Sequence, residues 1–178
     1  DKVWLEKTSK SYGLDYLNAV DIDGEKGDEI VLSESNGGSA QYNICTVWKI
    51  TSVGVKEFSE IPVEGIEGCL IYTLADDYKM TVTNYLDTFE TTVDISDCKE
   101  LLYDRIYDEK GKLIEENADI YIEYEGFNSF KAADLDGDGT YEIIAKQYCA
   151  VLGLQDIGNA VTVLKYDNEE EYYEYIDV

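Results

Sequence analysis

The stretch Asp134 to Glu142 reads DLDGDGTYE and runs directly into Ile143, Ile144 and Ala145. Acids fall at positions 1, 3, 5 and 9 of the nine (Asp134, Asp136, Asp138, Glu142), with Gly137 and Gly139 between them. A tight loop that turns every second side chain inward gathers carboxylate oxygens in one small volume. A hard cation such as calcium needs this, since it takes about 6 to 8 oxygens at about 2.3 to 2.6 Å. The main-chain carbonyl of Thr140 is expected to complete the set, and the two glycines allow the backbone angles of so tight a turn.

The flanks decide what carries the loop. An EF-hand loop also begins with this acid series, but it closes on a glutamate at position 12 between two helices. Position 12 here is Ala145, and both Phe127 to Ala133 and Tyr141 to Tyr148 are rich in aromatic and branched residues, which reads as strand, loop, strand. A second copy lies near the start of the chain, where Asp21 to Glu29 reads DIDGEKGDE ahead of Ile30, Val31 and Leu32. Asp21, Asp23, Glu25 and Glu29 occupy the same four positions, and Ala19-Val20 matches Ala132-Ala133. Lys26 replaces the glycine at position 6 and brings a cation to the loop, so weaker metal binding is expected there than at Asp134 to Glu142.

This acid loop followed by an apolar strand resembles the FG-GAP repeat of integrin α-subunit type, also called VCBS-like, a calcium-binding β-propeller repeat. The resemblance implies a loop joining two strands of a blade, with calcium held through positions 1, 3, 5, 7 and 9. Carried onto this chain, those are Asp134, Asp136, Asp138, the Thr140 carbonyl and Glu142, and at the first loop Asp21, Asp23, Glu25, Gly27 and Glu29. It also implies an extracytoplasmic module that binds a protein or a glycan.

Charge and composition bound the remaining possibilities. The 178 residues carry 39 acids against 14 Lys and Arg, a formal charge of -25 that repels nucleic acid and anionic lipid. A hydrophobic fraction of 44% argues against disorder. No run of about 18 apolar residues is present, so no membrane insertion is expected, and the stretch from Asp1 does not read as a signal peptide. Millimolar calcium outside cells fills a weak carboxylate loop that cytosolic calcium leaves empty, which points to an extracellular or cell-surface location. Histidine is absent, removing Ser-His-Asp and Cys-His systems and histidine zinc sites, and no pair among the many acids is singled out, so an enzyme is not expected. Cys45, Cys69, Cys98 and Cys149 are widely spaced, and the apolar runs around Cys45 and Cys149 suit buried free thiols as well as a disulfide.

Strand signals then recur along the chain: Val3 to Lys7, Leu14 to Val20, Ile30 to Glu34, Gln41 to Ile50, Val53 to Phe58, Leu70 to Leu74, Tyr78 to Leu86, Phe89 to Ile95, Ile120 to Tyr124, Ala160 to Tyr166 and Tyr172 to Val178. Ser96 to Tyr107 reads as a short helix capped by Ser96, and Tyr107 to Leu113 as a hairpin turn. The two loops start 113 residues apart, and the midpoint, LADDYKMTV, keeps the turn and the strand but not the ligand series. The expectation is an all-β domain over residues 1–178 in antiparallel four-stranded, blade-like units of 1–68, 69–117 and 118–178. Closed propellers have 4 to 8 blades. Three units therefore leave a partial propeller, a ring completed by a homo-oligomer, or an open stack. The alternatives to a ligand-binding module are a structural segment of a larger secreted protein and a carbohydrate-active enzyme.

Overall fold

A computed structural model describes residues 13–35, 37, 43–61, 70–84, 90–114, 126–151 and 155–175. Among these residues the chain is all-β, with antiparallel sheets, apart from one 3-10 turn at Ser96–Cys98 and a single helical turn, α1, at Lys99–Leu102. Among the described residues three sheets form, none closed into a barrel. The first is the meander β1 (Gly13–Val20), β2 (Glu29–Ser35), β3 (Asn43–Thr51) and β4 (Gly54–Ile61). The second has three strands, β5 (Leu70–Ala75), β6 (Lys79–Asn84) and β7 (Glu90–Asp94). The third is again a four-stranded meander of β8 (Ser129–Ala133), β9 (Glu142–Val151), β10 (Gln155–Asp167) and β11 (Tyr172–Tyr175). The strand signals at Val3 to Lys7 and Ile120 to Tyr124 lie outside the described residues.

Two compact units divide the chain. One comprises Asp1–Gly65, Glu125–Lys146 and Val161–Val178; the other comprises Ile66–Tyr124 and Gln147–Ala160. In the first unit, strand alternation sets the packing: β2 buries Glu29, Val31 and Ser33 and turns the residues between them outward. Their antiparallel partners on β3 are Lys49, Val47 and Cys45. Val31, Val47 and Cys45 join Val20, Ile22, Ile61, Phe127, Phe130, Ile143, Ala145 and Leu164 as buried apolar residues, with the Phe127 and Phe130 rings edge to face at 5.4 Å. Cys45 is a buried free thiol whose pKa burial pushes up to about 12, and Cys98 is a half-buried free thiol. The side chains of Cys69 and Cys149 lie outside the described residues.

Residues far apart in sequence tie this unit together. The Tyr16 hydroxyl donates to the Ala132 carbonyl (3.4 Å) and accepts from the Ala132 N–H (3.2 Å). The Asn43 N–H donates to the Phe127 carbonyl (3.0 Å), and the Phe58 ring lies 4.7 Å from that of Tyr166. Phe58 owes that position to a bulge, since the β3–β4 register slips between Val47 and Trp48 and leaves Phe58 without a partner.

In the second unit a cluster of Tyr72, Tyr78, Met80, Val82, Ile95, Leu102, Ile106 and Tyr107 forms the core. The LADDYKMTV midpoint is a hairpin turn in which Asp77 (φ 61°) and Tyr78 (φ 55°) are both left-handed. Asp76 spends its carboxylate on the Leu113 N–H (2.9 Å). On either side of Tyr107 a helical turn and an isolated antiparallel bridge between Tyr107 and Leu113 are present, but the turn ends at Leu102 and Ser96 does not cap it: Ser96 lies in the preceding 3-10 turn, where its N–H donates to Asp94 (2.9 Å).

Candidate metal centre

Both acid loops sit in the first unit, each joining the first and second strands of a four-stranded sheet. Three internal hydrogen bonds recur in register. The position-4 N–H donates to the position-1 carboxylate at 2.7 Å in each, Gly24 to Asp21 and Gly137 to Asp134. The position-5 N–H donates to position 3, Glu25 to Asp23 at 2.9 Å and Asp138 to Asp136 at 3.0 Å. The position-2 N–H donates to the glutamate at position 9, Ile22 to Glu29 and Leu135 to Glu142, at 3.0 Å in both. Each loop is thus held open by its own main chain, with the carboxylates directed towards one another. The nearest oxygens of Asp21, Asp23 and Glu29 lie within 4.8 Å of each other, as do those of Asp134, Asp136 and Asp138.

The second halves of the loops differ. Gly24 and Gly137 share the left-handed position 4 (φ 69° and 80°), but the next positive φ falls on Gly139 (94°) at position 6 in one loop and on Gly27 (129°) at position 7 in the other. Shifting that angle by one residue is what admits Lys26 at position 6. Lys26 points to solvent, so the cation expected from it does not enter the cluster. In the second loop Thr140 donates its N–H to Asp138 (2.7 Å), and Gly139 donates to Asp134 (3.2 Å).

Burial also differs between the loops. In the first loop Ile22 is 0% exposed, Asp23 4% and Glu29 0%. In the second, Leu135 is 41% exposed, and Asp136 and Asp138 are exposed, leaving only Glu142 buried at 1%. The first loop is therefore the more enclosed of the two. Its Glu29 Oε2 accepts from the Ile22 N–H, while its buried Oε1 has no hydrogen-bond partner. Burial raises the Glu29 carboxyl above its ordinary pKa and outweighs the lowering by the Ile22 N–H. A buried acceptor without a donor costs about 1–3 kcal/mol, more if charged, and a cation against it removes that cost.

The cations that do reach the loops come from the third strand of each sheet. Lys49 on β3 places its ammonium 2.5 Å from Asp23 and 2.7 Å from Glu25, with the Phe58 ring 5.4 Å away. Lys165 on β10 lies 3.3 Å from Asp136, 3.2 Å from Asp138 and 3.1 Å from Glu142. Hydrogen bonds to these carboxylates hold both lysines well above the ordinary lysine range. The Thr140 N–H, and then Lys165, hold Asp138 below the ordinary aspartate range. Neither lysine announces itself in the sequence, although each follows its position-9 glutamate at a similar distance and would emerge once the two motifs were aligned past their loops.

The loops also touch each other. The Asp21 carbonyl accepts from the Tyr141 N–H (2.7 Å), a Cβ added at Gly24 would lie 3.5 Å from Thr140 Oγ1, and Asn168 Nδ2 donates to the Asp23 carbonyl (2.5 Å). Thr140 thus stands at the junction of the loops, and Gly27 is exposed at the far end of the first.

The family model of the YybI C-terminal domain matches residues 70–177. No curated protein and no solved structure gives a significant match. The match corrects the FG-GAP resemblance. That resemblance rested on nine-residue loops, and a carboxylate loop between strands is a local solution that unrelated sheets can share. The matched segment contains Asp134 to Glu142 and leaves Asp21 to Glu29 outside.

Proposed function

The chain belongs to the YybI C-terminal domain family, and we propose that it is a non-catalytic all-β binding module whose first unit is stabilised by calcium in its acid loops. The observation that carries this reading is Glu29, a fully buried carboxylate with one oxygen unpartnered, converging with Asp21 and Asp23. Glu25 and the Gly27 carbonyl would complete that site; at the other, Asp134, Asp136, Asp138, Glu142 and the Thr140 carbonyl would serve. Neutralising several crowded carboxylates couples metal binding to folding. The partner in this reading is a protein or a glycan outside the cell, where calcium is millimolar.

The test is thermal unfolding of chelator-stripped protein during a calcium titration, with Asp23→Ala and Asp136→Ala in parallel. The melting temperature is expected to rise with calcium, and the enclosed first loop gives Asp23→Ala the larger loss of response. No rise in the wild type sinks the reading. It would leave a metal-free module whose loops are neutralised by lysine, an alternative favoured by Lys49 and Lys165. The four-stranded sheets are blade-like in this reading, and a ring completed by further copies is the proposal's larger form. Light scattering that returns a monomer mass at working concentration removes it.

A further inference from the structure

In the first acid loop a lysine engages one of the carboxylates that converge as a candidate metal cluster. Lys49 lies directly opposite Glu29 in the β2–β3 register and pairs with Asp23 and Glu25. Yet the Glu29 Oε1 is left buried without a hydrogen-bond partner, and the carboxylates of Glu29, Asp21 and Asp23 converge within 4.8 Å. An ammonium offers three donors on a flexible stem, whereas calcium takes about 6 to 8 oxygens. The lysine therefore satisfies only part of this cluster, whereas a divalent ion in its place would engage the whole of it.

We propose that Lys49 is a displaceable internal counter-ion: it holds Asp23 and Glu25 while the loop is metal-free, swings out when calcium enters, and so sets the affinity of the site. This rests on reading the loop as a calcium site. The geometry gives the ammonium a way out, because the Lys49 side chain is 27% exposed while that of Asp23 is 1% exposed. The Phe58 ring, 5.4 Å from Nζ, offers a face on which the cation can rest after leaving the carboxylates. The arrangement is repeated at the second loop, where Lys165 engages the same positions 3 and 5. An arrangement found twice, with the lysine drawn each time from the third strand, is a property of the unit.

Calcium alone, titrated calorimetrically into the full chain, tests the proposal with Lys49→Met and Lys26→Met. Lys49→Met is expected to tighten binding about ten- to a hundredfold, because calcium no longer has to break charge-assisted hydrogen bonds. Lys26→Met removes one positive charge from the loop itself, at a side chain that touches no carboxylate, and is expected to change affinity less than about threefold. Equal effects of the two would reduce the lysine to general electrostatics and overturn the proposal. Because Lys49→Met leaves Asp23 buried without its cation and can unfold the chain, the wild type supplies a second readout. Amine labelling followed by mass spectrometry should find Lys49 more reactive in saturating calcium and Lys26 unchanged. Calcium binding with no change at Lys49 overturns the counter-ion and leaves the calcium reading standing. Binding only after Lys49→Met would mean that calcium does not displace the lysine and overturns the proposal, and no binding in either protein overturns both it and the calcium reading.

Discussion

Glu29 and Lys49 are adjacent across two strands and have opposite fates: the acid is sealed in with one oxygen unserved, and the base keeps a route to water. Burial raises the Glu29 carboxyl above its ordinary 4.5. Its proton is therefore held more tightly in the folded chain than in the unfolded one. Glu29 costs stability progressively as pH rises from 4.5 through the raised value, and the cost is complete above it. In chelator, Glu29→Gln should therefore gain on the wild type between about pH 4 and about pH 7, since glutamine does not titrate. In calcium the order should reverse, because glutamine offers the metal no charge. Melting temperatures at both pH values check this, and a difference between the two proteins that does not vary with pH in chelator would exclude Glu29 as the source. At this scale the sequence was informative about acids and silent about bases. Asp21, Asp23, Glu25 and Glu29 declare themselves through their spacing, but Lys49 and Lys165 depend on strand register, which no local pattern encodes.

The strands were legible because alternation and turn residues are local properties. Leu14 to Val20, Ile30 to Glu34 and Tyr172 onward all emerge within a few residues of β1, β2 and β11. What the loops do inside was harder to read. Lys26 looked like a defect in the first copy, yet the positive φ has simply moved on to Gly27. The two loops thus reach similar carboxylate geometry with their second left-handed residue in different places. Gly27→Ala and Gly139→Ala should each lose about 1–2 kcal/mol through left-handed strain. Lys26→Ala, at an exposed site without positive φ, should stay within about 0.5 kcal/mol of wild type. Urea unfolding of the three variants in chelator measures these costs. A Gly27→Ala protein as stable as the wild type would mean that the loop does not need that angle. The family assignment failed at this same scale, because a loop motif specifies how a turn is closed and not which sheet it closes.

Across the molecule, the first unit is assembled from three separate segments, with the second unit built from the two stretches of chain between them. Both acid loops belong to the first unit. Calcium should therefore slow amide hydrogen exchange at the described residues of 13–61, 126–146 and 161–175, and leave the Tyr72 to Ile106 core of the other unit little changed. Exchange measured by mass spectrometry with and without calcium checks this, and uniform slowing would mean that the two units open together. Nothing in the spacing of the strands foretold the contact between loops, since it depends on pairings such as Tyr16 with Ala132, 116 residues apart.

That long-range closure also has a direction in time. The Asp23 carbonyl is capped by Asn168, 145 residues further along the chain. At about 5–20 residues per second, a ribosome makes the second partner roughly 7 to 29 s after the first. For that interval the first sheet can form while its acid loop lacks the residues that finish its wall. The first sheet is thus completed by a residue made well after it, and a nascent chain interrupted before Asn168 carries an unfinished loop.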